Sequence, residues 1–366
     1  MIDSILYGDC RETLKTVTNS TVQTCVTSPP YYGLRDYGTA TWIGGDSNCN
    51  HMRDSKVNPS NCITGHKNHD KMAGVGDAIY KTKCPKCGAI RQDSQIGLEQ
   101  TPEDYIDQLV QVFREVHRVL KDDGTLWVNI GDSYYNYRSG KGQALPKQSV
   151  SKTNQDLPQV NPKRGNKLDG LKEKDLIGIP WMLAFALRKD GWYLRQDIIW
   201  HKPNPMPESV RDRCTKSHEY IFLLSKSRSY YYNHEAIKEP VKQDWGTRDR
   251  SKGKYHNEGT GLQPHSGLTK SYTTKNKRSV WTVTNKPYKG AHFAVFPTDL
   301  IEPCILAGSS EGDVVLDPFM GSGTTAMVAL KHNRNYIGCE LNEDYASLQT
   351  DRIDSIPSQL PAILWK

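Results

Sequence analysis

The sequence predicts an α/β protein built on a mostly parallel sheet covered on both faces. Three observations lead there. Short apolar runs of strand character alternate with amphipathic helical segments along most of the 366 residues. Two strand candidates run straight into loops punctuated by proline or glycine, V-T-S-P-P-Y at 26–31 and D-P-F-M-G-S-G-T-T at 317–325, where such folds bind ligands. No apolar run of membrane-spanning length interrupts the pattern.

The elements follow in order. S-I-L-Y-G-D and V-Q-T-C-V-T read as strands, joined by the helix-like C-R-E-T-L-K-T-V. A loop-rich stretch, 33–96, precedes a helix that opens at T-P-E-D-Y with Thr101 as N-cap and Pro102 in the first turn. Its apolar residues Tyr105, Leu109, Val112, Phe113, Val116, Val119 and Leu120 have helical spacing and should face the sheet. K-D-D-G reads as a turn into the strand T-L-W-V-N-I-G-D. After a polar loop at 138–170 come the helix I-P-W-M-L-A-F-A-L-R and the strands Q-D-I-I-W-H-K and E-Y-I-F-L-L-S. The helix F-P-T-D-L-I-E-P-C-I-L-A, the strand and glycine loop around Asp317, a further helix and the strand N-Y-I-G-C-E-L-N complete the order.

A chain with 36% hydrophobic and 24% charged residues is of ordinary soluble composition, long enough for one large domain with insertions or for two. The N-terminal M-I-D-S-I-L-Y-G-D-C lacks a basic segment followed by an apolar one, so a cytoplasmic location and no membrane partner are expected. The net charge of +7 is regional: residues 226–290 hold fourteen Lys or Arg against five Asp or Glu. Within them, S-R-S-Y-Y-Y-N-H and K-N-K-R-S-V-W interleave basic and aromatic residues, as a DNA surface would, or as a solvated basic face would without a ligand.

Two loops carry the chemistry. Gly321 and Gly323 let backbone approach a ligand closely, and Glu340, ending the next strand, is placed to accept hydrogen bonds from ribose hydroxyls. There is no G-x-G-x-x-G and no G-K-[ST], so a nucleoside without phosphates fits better than a dinucleotide or a P-loop substrate. In the other loop, Pro29 and Pro30 impose a rigid extended backbone. It presents the Ser28 hydroxyl, the carbonyls around Pro29 and the Tyr31 ring, a combination suited to a planar ligand bearing an amine.

Together V-T-S-P-P-Y and D-P-F-M-G-S-G-T-T resemble the DNA amino-methyltransferases that use S-adenosylmethionine. The order, catalytic loop before glycine loop, is similar to the circularly permuted class that modifies cytosine N4 or adenine N6. The resemblance covers most of the chain, including G-T-L-W-V-N-I-G-D-S-Y and I-I-W-H-K-P-N-P. It implies a permuted Rossmann-like methyltransferase sheet with Ser28, Pro29, Pro30 and Tyr31 as the target-base loop. Thr27, Asp317, Phe319, Gly321, Gly323, Thr324 and Glu340 would then surround the cofactor, with Asp9 near its adenine. Phe296 and Pro297, from H-F-A-V-F-P, would close over its methionine end.

On that resemblance, acceptors at Ser28 and the Pro29 carbonyl would localise the amine lone pair while Tyr31 stacks on the flipped base. A serine before P-P-Y in the family tends to accompany cytosine, which favours N4 over adenine N6. The partner would be double-stranded DNA, with a restriction endonuclease as a possible companion. The rivals are an RNA or protein amide methyltransferase, and a zinc-bearing DNA-binding protein without activity. Lys202 fits a phosphate contact, the target pocket or a plain strand end.

Of nine cysteines, Cys49, Cys62, Cys84 and Cys87 crowd into one polar stretch. Cys49-x-His51 and Cys84-P-K-Cys87-G offer four ligands for a structural tetrahedral Zn²⁺, with Cys62, His66 and His69 as further candidates. The expected organisation is a catalytic half in 1–32, 97–137 and 171–229, the Cys/His-rich insertion in 33–96 and a mobile loop in 138–170. A basic target-recognition region at 230–290 and a cofactor-binding half at 291–366 complete it.

Overall fold

A computed structural model describes residues 2–33, 39–51, 80, 83–135, 168–241, 273–285 and 296–356. Most of the 138–170 loop, Cys62, His66, His69 and residues 292–295 lie outside them.

Eight strands form one sheet: β1 (Ser4–Tyr7), β2 (Val22–Thr27), β5 (Leu120–Ile130), β6 (Tyr193–His201), β7 (His218–Ser225), β10 (Val280–Thr282), β11 (Val314–Asp317) and β12 (Asn335–Glu340). Their order is β1-β12-β11-β2-β5-β7-β6-β10. Every pairing is parallel except the two made by β7, so β7 alone runs against the rest. The central strands β2 and β11 are buried at every residue, as expected of parallel strands covered on both faces. Two small antiparallel pairs stand apart, β3 (Thr41–Ile43) with β4 (Ile90–Gln92) and β8 (Glu239–Pro240) with β9 (Thr274–Lys275).

One face is covered by α1 (Cys10–Thr13), α2 (Pro102–Val119) and α3 (Ile179–Lys189), whose apolar residues join Val22, Leu126, Val128 and Phe222 in one core. Helix α2 begins as its sequence predicts: Thr101 accepts from the Asp104 N–H at 3.1 Å, and Tyr105, Leu109, Val112, Phe113, Val116 and Val119 are all fully buried. The other face carries α4 (Thr298–Gly308) and α5 (Thr324–Lys331) over Val26, Trp127, Ile221 and Val315. The last described helix is α6 (Ala346–Asp354).

One expectation changes. K-D-D-G is no separate turn: β5 is continuous, and the pairing steps from Val22↔Leu120 to Thr24↔Thr125. The extra residues are absorbed as an irregularity, with the Gln23 amide donating to Asp123 Oδ1 at 3.0 Å. The two basic and aromatic stretches occupy different places, and residues 242–272 and 286–290 of the basic region lie outside the described residues. Because β7 runs backwards, S-R-S-Y-Y-Y-N-H leaves the sheet at the edge opposite the two chemical loops, where Tyr231 N–H bonds the Asp123 carbonyl and its hydroxyl meets Ser310. In K-N-K-R-S-V-W, Trp281 is buried in β10 and contributes to the core.

Candidate active site

Strands β1, β12, β11, β2, β5 and β6 end, and β7 begins, at one edge of the sheet. That edge therefore gathers Asp9, Glu340, Asp317, Ser28, Gly131, Lys202 and Glu219, residues scattered over 332 positions of sequence.

The adjacency of β2 and β11 locks the two loops together. Asp317 is 1% exposed; its Oδ1 accepts from Thr27 Oγ1 at 2.6 Å and the Phe319 N–H at 3.0 Å, and its Oδ2 from Thr325 Oγ1 at 2.6 Å. Burial lifts its pKa to about 6 against the pull of those donors. Asp317 and Thr27 thus order both loops from below. Glu340 receives the Gly321 N–H at 2.7 Å and the Asn342 N–H at 2.9 Å, and burial, aided by Asp317, raises it to about 7. Gly323 has φ +83°, a left-handed angle that favours glycine, and a Cβ there would sit 3.3 Å from Gln349 Cα. Gln349 in turn holds the Gly321 carbonyl at 2.7 Å and accepts from the Tyr7 hydroxyl. Between the glycines, Ser322 is 2% exposed and its hydroxyl has no partner among the described residues. Thr324 is buried and receives a hydrogen bond from Arg352, while Phe319 packs on the helical core.

Asp9 sits beside Glu340, since Gly8 N–H bonds the Glu340 carbonyl, but its carboxylate is paired with Arg11. Phe296 packs on the core under α4 and Pro297 caps that helix.

The Ser28–Tyr31 loop is held more tightly than its sequence suggests. Tyr105 of α2 donates to the Pro30 carbonyl at 2.7 Å, and Gly97 receives the Gly33 N–H at 2.8 Å. Tyr31 does not simply face outward. Its hydroxyl donates to Glu219 Oε2 at 2.6 Å, and its ring lies so close to Gly131 that a Cβ there would fall 2.6 Å from Tyr31 Cε2. Burial, then the Glu219 carboxylate, pushes the phenol pKa well up, so it stays a donor. Lys202 makes an ion pair with Glu219 and lies 4.1 Å over the Trp200 ring. A cavity of about 50 Å³ opens beside Tyr31, lined also by Tyr32, Gly131, Asp132, Ser133 and Ile179. Asp132 caps α3, accepting from the Gly178 and Ile179 N–H groups at 3.0 and 3.1 Å. Sequence reasoning missed Asn129, Gly131, Glu219 and Asp132; the W-V-N-I-G-D and H-E-Y strand ends were their only signal.

Cys49, His51, Cys84 and Cys87 come together, their ligand atoms all within 4.8 Å of one another. The Cys49–Cys84 sulfur separation of 3.8 Å agrees with the roughly 3.8 Å edge of a tetrahedron with Zn–S bonds of about 2.3 Å. The β3–β4 pair frames the cluster, and Trp42 stacks on His51 at 4.2 Å.

The family described as "DNA methylase", of the N6/N4 type, matches residues 22–351. The chain belongs to that family. This methylase is 42% identical over 354 residues to the type II methyltransferase M.SmaI of Serratia marcescens, covering 95% of this chain and 90% of that one. It is 39% identical to M.Cfr9I of Citrobacter freundii over 96% and 87% of the two chains. Its fold resembles the cytosine-N4-specific PvuII DNA methyltransferase, with TM-score 0.54 and 14% identity over 98% and 88%. It also resembles a putative DNA modification methylase of Thermus thermophilus in complex with S-adenosyl-L-methionine, with TM-score 0.51 and 22% identity over 97% and 94%. The methylase is a DNA methyltransferase with type II relatives, and the permuted order of its loops lies on the methyltransferase sheet anticipated from them.

Proposed function

We propose that this methylase transfers a methyl group from S-adenosylmethionine to the exocyclic amine of a base flipped from duplex DNA, cytosine N4 in preference to adenine N6. The observation that carries the reading is the Thr27–Asp317 hydrogen bond, which fixes the Ser28–Tyr31 loop beside the glycine loop on adjacent strands. S-adenosylmethionine supplies an electrophilic methyl on its sulfonium. The Ser322 hydroxyl, without a partner among the described residues, the left-handed Gly323 and the half-buried Glu340 carboxylate fit a polar nucleoside, with Glu340 accepting from ribose hydroxyls through its remaining lone pairs. Asp9, locked to Arg11, shapes the adenine end, and Phe296 and Pro297 border the methionine end.

Ser28 and the Pro29 carbonyl accept the hydrogens of the target amine and draw its lone pair out of the ring. Tyr31 stacks on the base, offsetting an extrusion cost of about a few kcal/mol. No protein nucleophile is needed, since positioning and electrostatics govern the transfer. Ser28, in place of an aspartate, supports cytosine as the target. The four-ligand Cys49–His51–Cys84–Cys87 cluster holds a structural Zn²⁺, its ligand set complete without water. The type II relatives support a restriction endonuclease partner for this chain.

Sequencing DNA from cells that express the chain, by a method that reports modified bases, tests the reading. N4-methylcytosine at one short motif is the expected result. N6-methyladenine would overturn the cytosine preference, and unmodified DNA would overturn the activity.

A further inference from the structure

The cytosine and cofactor loops leave one group of charges unused. Glu219 is the second residue of β7, paired with Trp200 of β6, so the register puts Lys202, two residues beyond Trp200 and bonded through its N–H to the Ser217 carbonyl, diagonal to it on the same face just past the end of β6. Glu219 and Lys202 form an ion pair whose side chains are only 15% and 16% exposed. The other Glu219 oxygen takes the Tyr31 hydroxyl at 2.6 Å and the Asn129 amide at 3.3 Å. Asn129 is itself fixed, donating to the Tyr220 carbonyl at 3.1 Å. One carboxylate therefore ties four segments: the Ser28–Tyr31 loop, the end of β5, the end of β6 and the start of β7.

A phenol bound to a carboxylate cannot swing its ring without breaking a charge-assisted hydrogen bond, and Gly131 lies so close to the Cε2 side of the ring that no Cβ would fit between them. We propose that Glu219 is a positioning residue for methyl transfer: it holds Tyr31 in one ring orientation before the base arrives, with Lys202 neutralising its charge. The inference rests on the reading that Tyr31 stacks on the target base. Glu219 itself acts through Tyr31, and Lys202 is neither a bare strand end nor a free phosphate contact but the counter-ion of this strap.

The test is single-turnover methyl transfer by the purified full chain, with S-adenosylmethionine affinity measured alongside. Tyr31→Phe deletes one oxygen and keeps the ring. Glu219→Ala deletes the acceptor, and Glu219→Gln keeps an oxygen for the phenol. Tyr31→Phe and Glu219→Ala should each slow transfer about tenfold, in line with a hydrogen bond to a charged group, and the double variant should be no slower than about the worse single one. Glu219→Gln should recover most of the rate. Cofactor affinity should stay within about twofold throughout, separating this role from a general structural one. Losses that multiply, or Tyr31→Phe working at the parental rate, would overturn the proposal, and the latter holds even if Glu219→Ala fails to fold. A parent chain that methylates no DNA refutes the proposed function instead. The strap is then judged on denaturant unfolding, where additive losses for Tyr31→Phe and Glu219→Ala overturn it.

Discussion

Gly131→Ala isolates the contact between Tyr31 and the end of β5. Gly131 does not adopt a positive φ, so alanine is compatible with its backbone, and the whole effect comes from one added methyl. That methyl would stand 2.6 Å from Tyr31 Cε2, 3.2 Å from Cδ2 and 3.3 Å from Cζ. Carbon atoms settle at about 3.5–4.0 Å, so the ring must retreat by about 1 Å. Its hydroxyl is tethered to Glu219, and the retreat becomes a tilt rather than a slide. Overpacking of this kind costs about 1–3 kcal/mol of stability, and a misplacement of about 1 Å at a reacting centre costs up to about a hundredfold in rate. Thermal unfolding should show a modest loss, single-turnover transfer to duplex DNA should fall at least about tenfold, and S-adenosylmethionine affinity should hold within about twofold. A folded Gly131→Ala chain that transfers methyl groups at the parental rate would refute the role given to the Tyr31 ring.

Gly323→Val forces a branched residue into a left-handed angle beside Gln349, a strain of about 1–3 kcal/mol, and should abolish cofactor binding by calorimetry; parental affinity would remove the glycine loop from the site. Burial raises Glu340 to about 7 and Asp317 to about 6, so the folded chain binds protons there more tightly than the unfolded one. Their contribution to stability is full below about pH 4 and is lost as pH rises through about 6 and 7, whereas cofactor affinity should rise over the same span as Glu340 ionises. Glu340→Gln should flatten that affinity profile, and an unchanged profile would exclude Glu340 as its source. Cys84→Ser should release zinc, lower thermal stability and weaken DNA binding before cofactor binding, and less than about half a zinc per parent chain in elemental analysis would exclude the metal site. Arg228→Ala with Tyr230→Ala, at the opposite edge of the sheet, should leave DNA affinity unchanged in titrations, and a marked loss would place DNA on that edge as well.

What was legible in the sequence was local. The start of α2 follows from Thr101, Pro102 and the spacing of Tyr105 to Val119, and the strand, glycine turn and helix around Asp317 lie within one short stretch. The clustering of Cys49, His51, Cys84 and Cys87 was also readable, because C-x-H and C-x-x-C-G fix each half before the chain brings the halves together. Strand direction was not readable. An apolar run such as E-Y-I-F-L-L-S looks the same whichever way it enters a sheet, yet the reversal of β7 alone carried Glu219 to the site and S-R-S-Y-Y-Y-N-H away from it. Trp281 misled for a related reason: among lysines and an arginine it resembled a nucleic-acid platform, whereas pairing of β10 with β6 turned its indole into the core. The Tyr31–Glu219 bond spans 188 positions, and no periodicity within either segment foreshadows it.

The pairing of β1 with β12 has a consequence for biosynthesis. Among the described residues β1 finds its sheet partner only in β12, and Gly8 and Tyr7 meet Glu340 and Gln349 there. At about 5–20 residues per second, roughly 15 to 70 s separate translation of Tyr7 from that of Glu340. For that interval β1 has an unmatched edge, and from the synthesis of β5 until that of β11, β2 is paired on one side only. The half of the sheet made by β2, β5, β7 and β6 can therefore assemble on the ribosome before β11 and β12 exist, and on the proposed reading a nascent chain cannot transfer a methyl group until those two strands have been made.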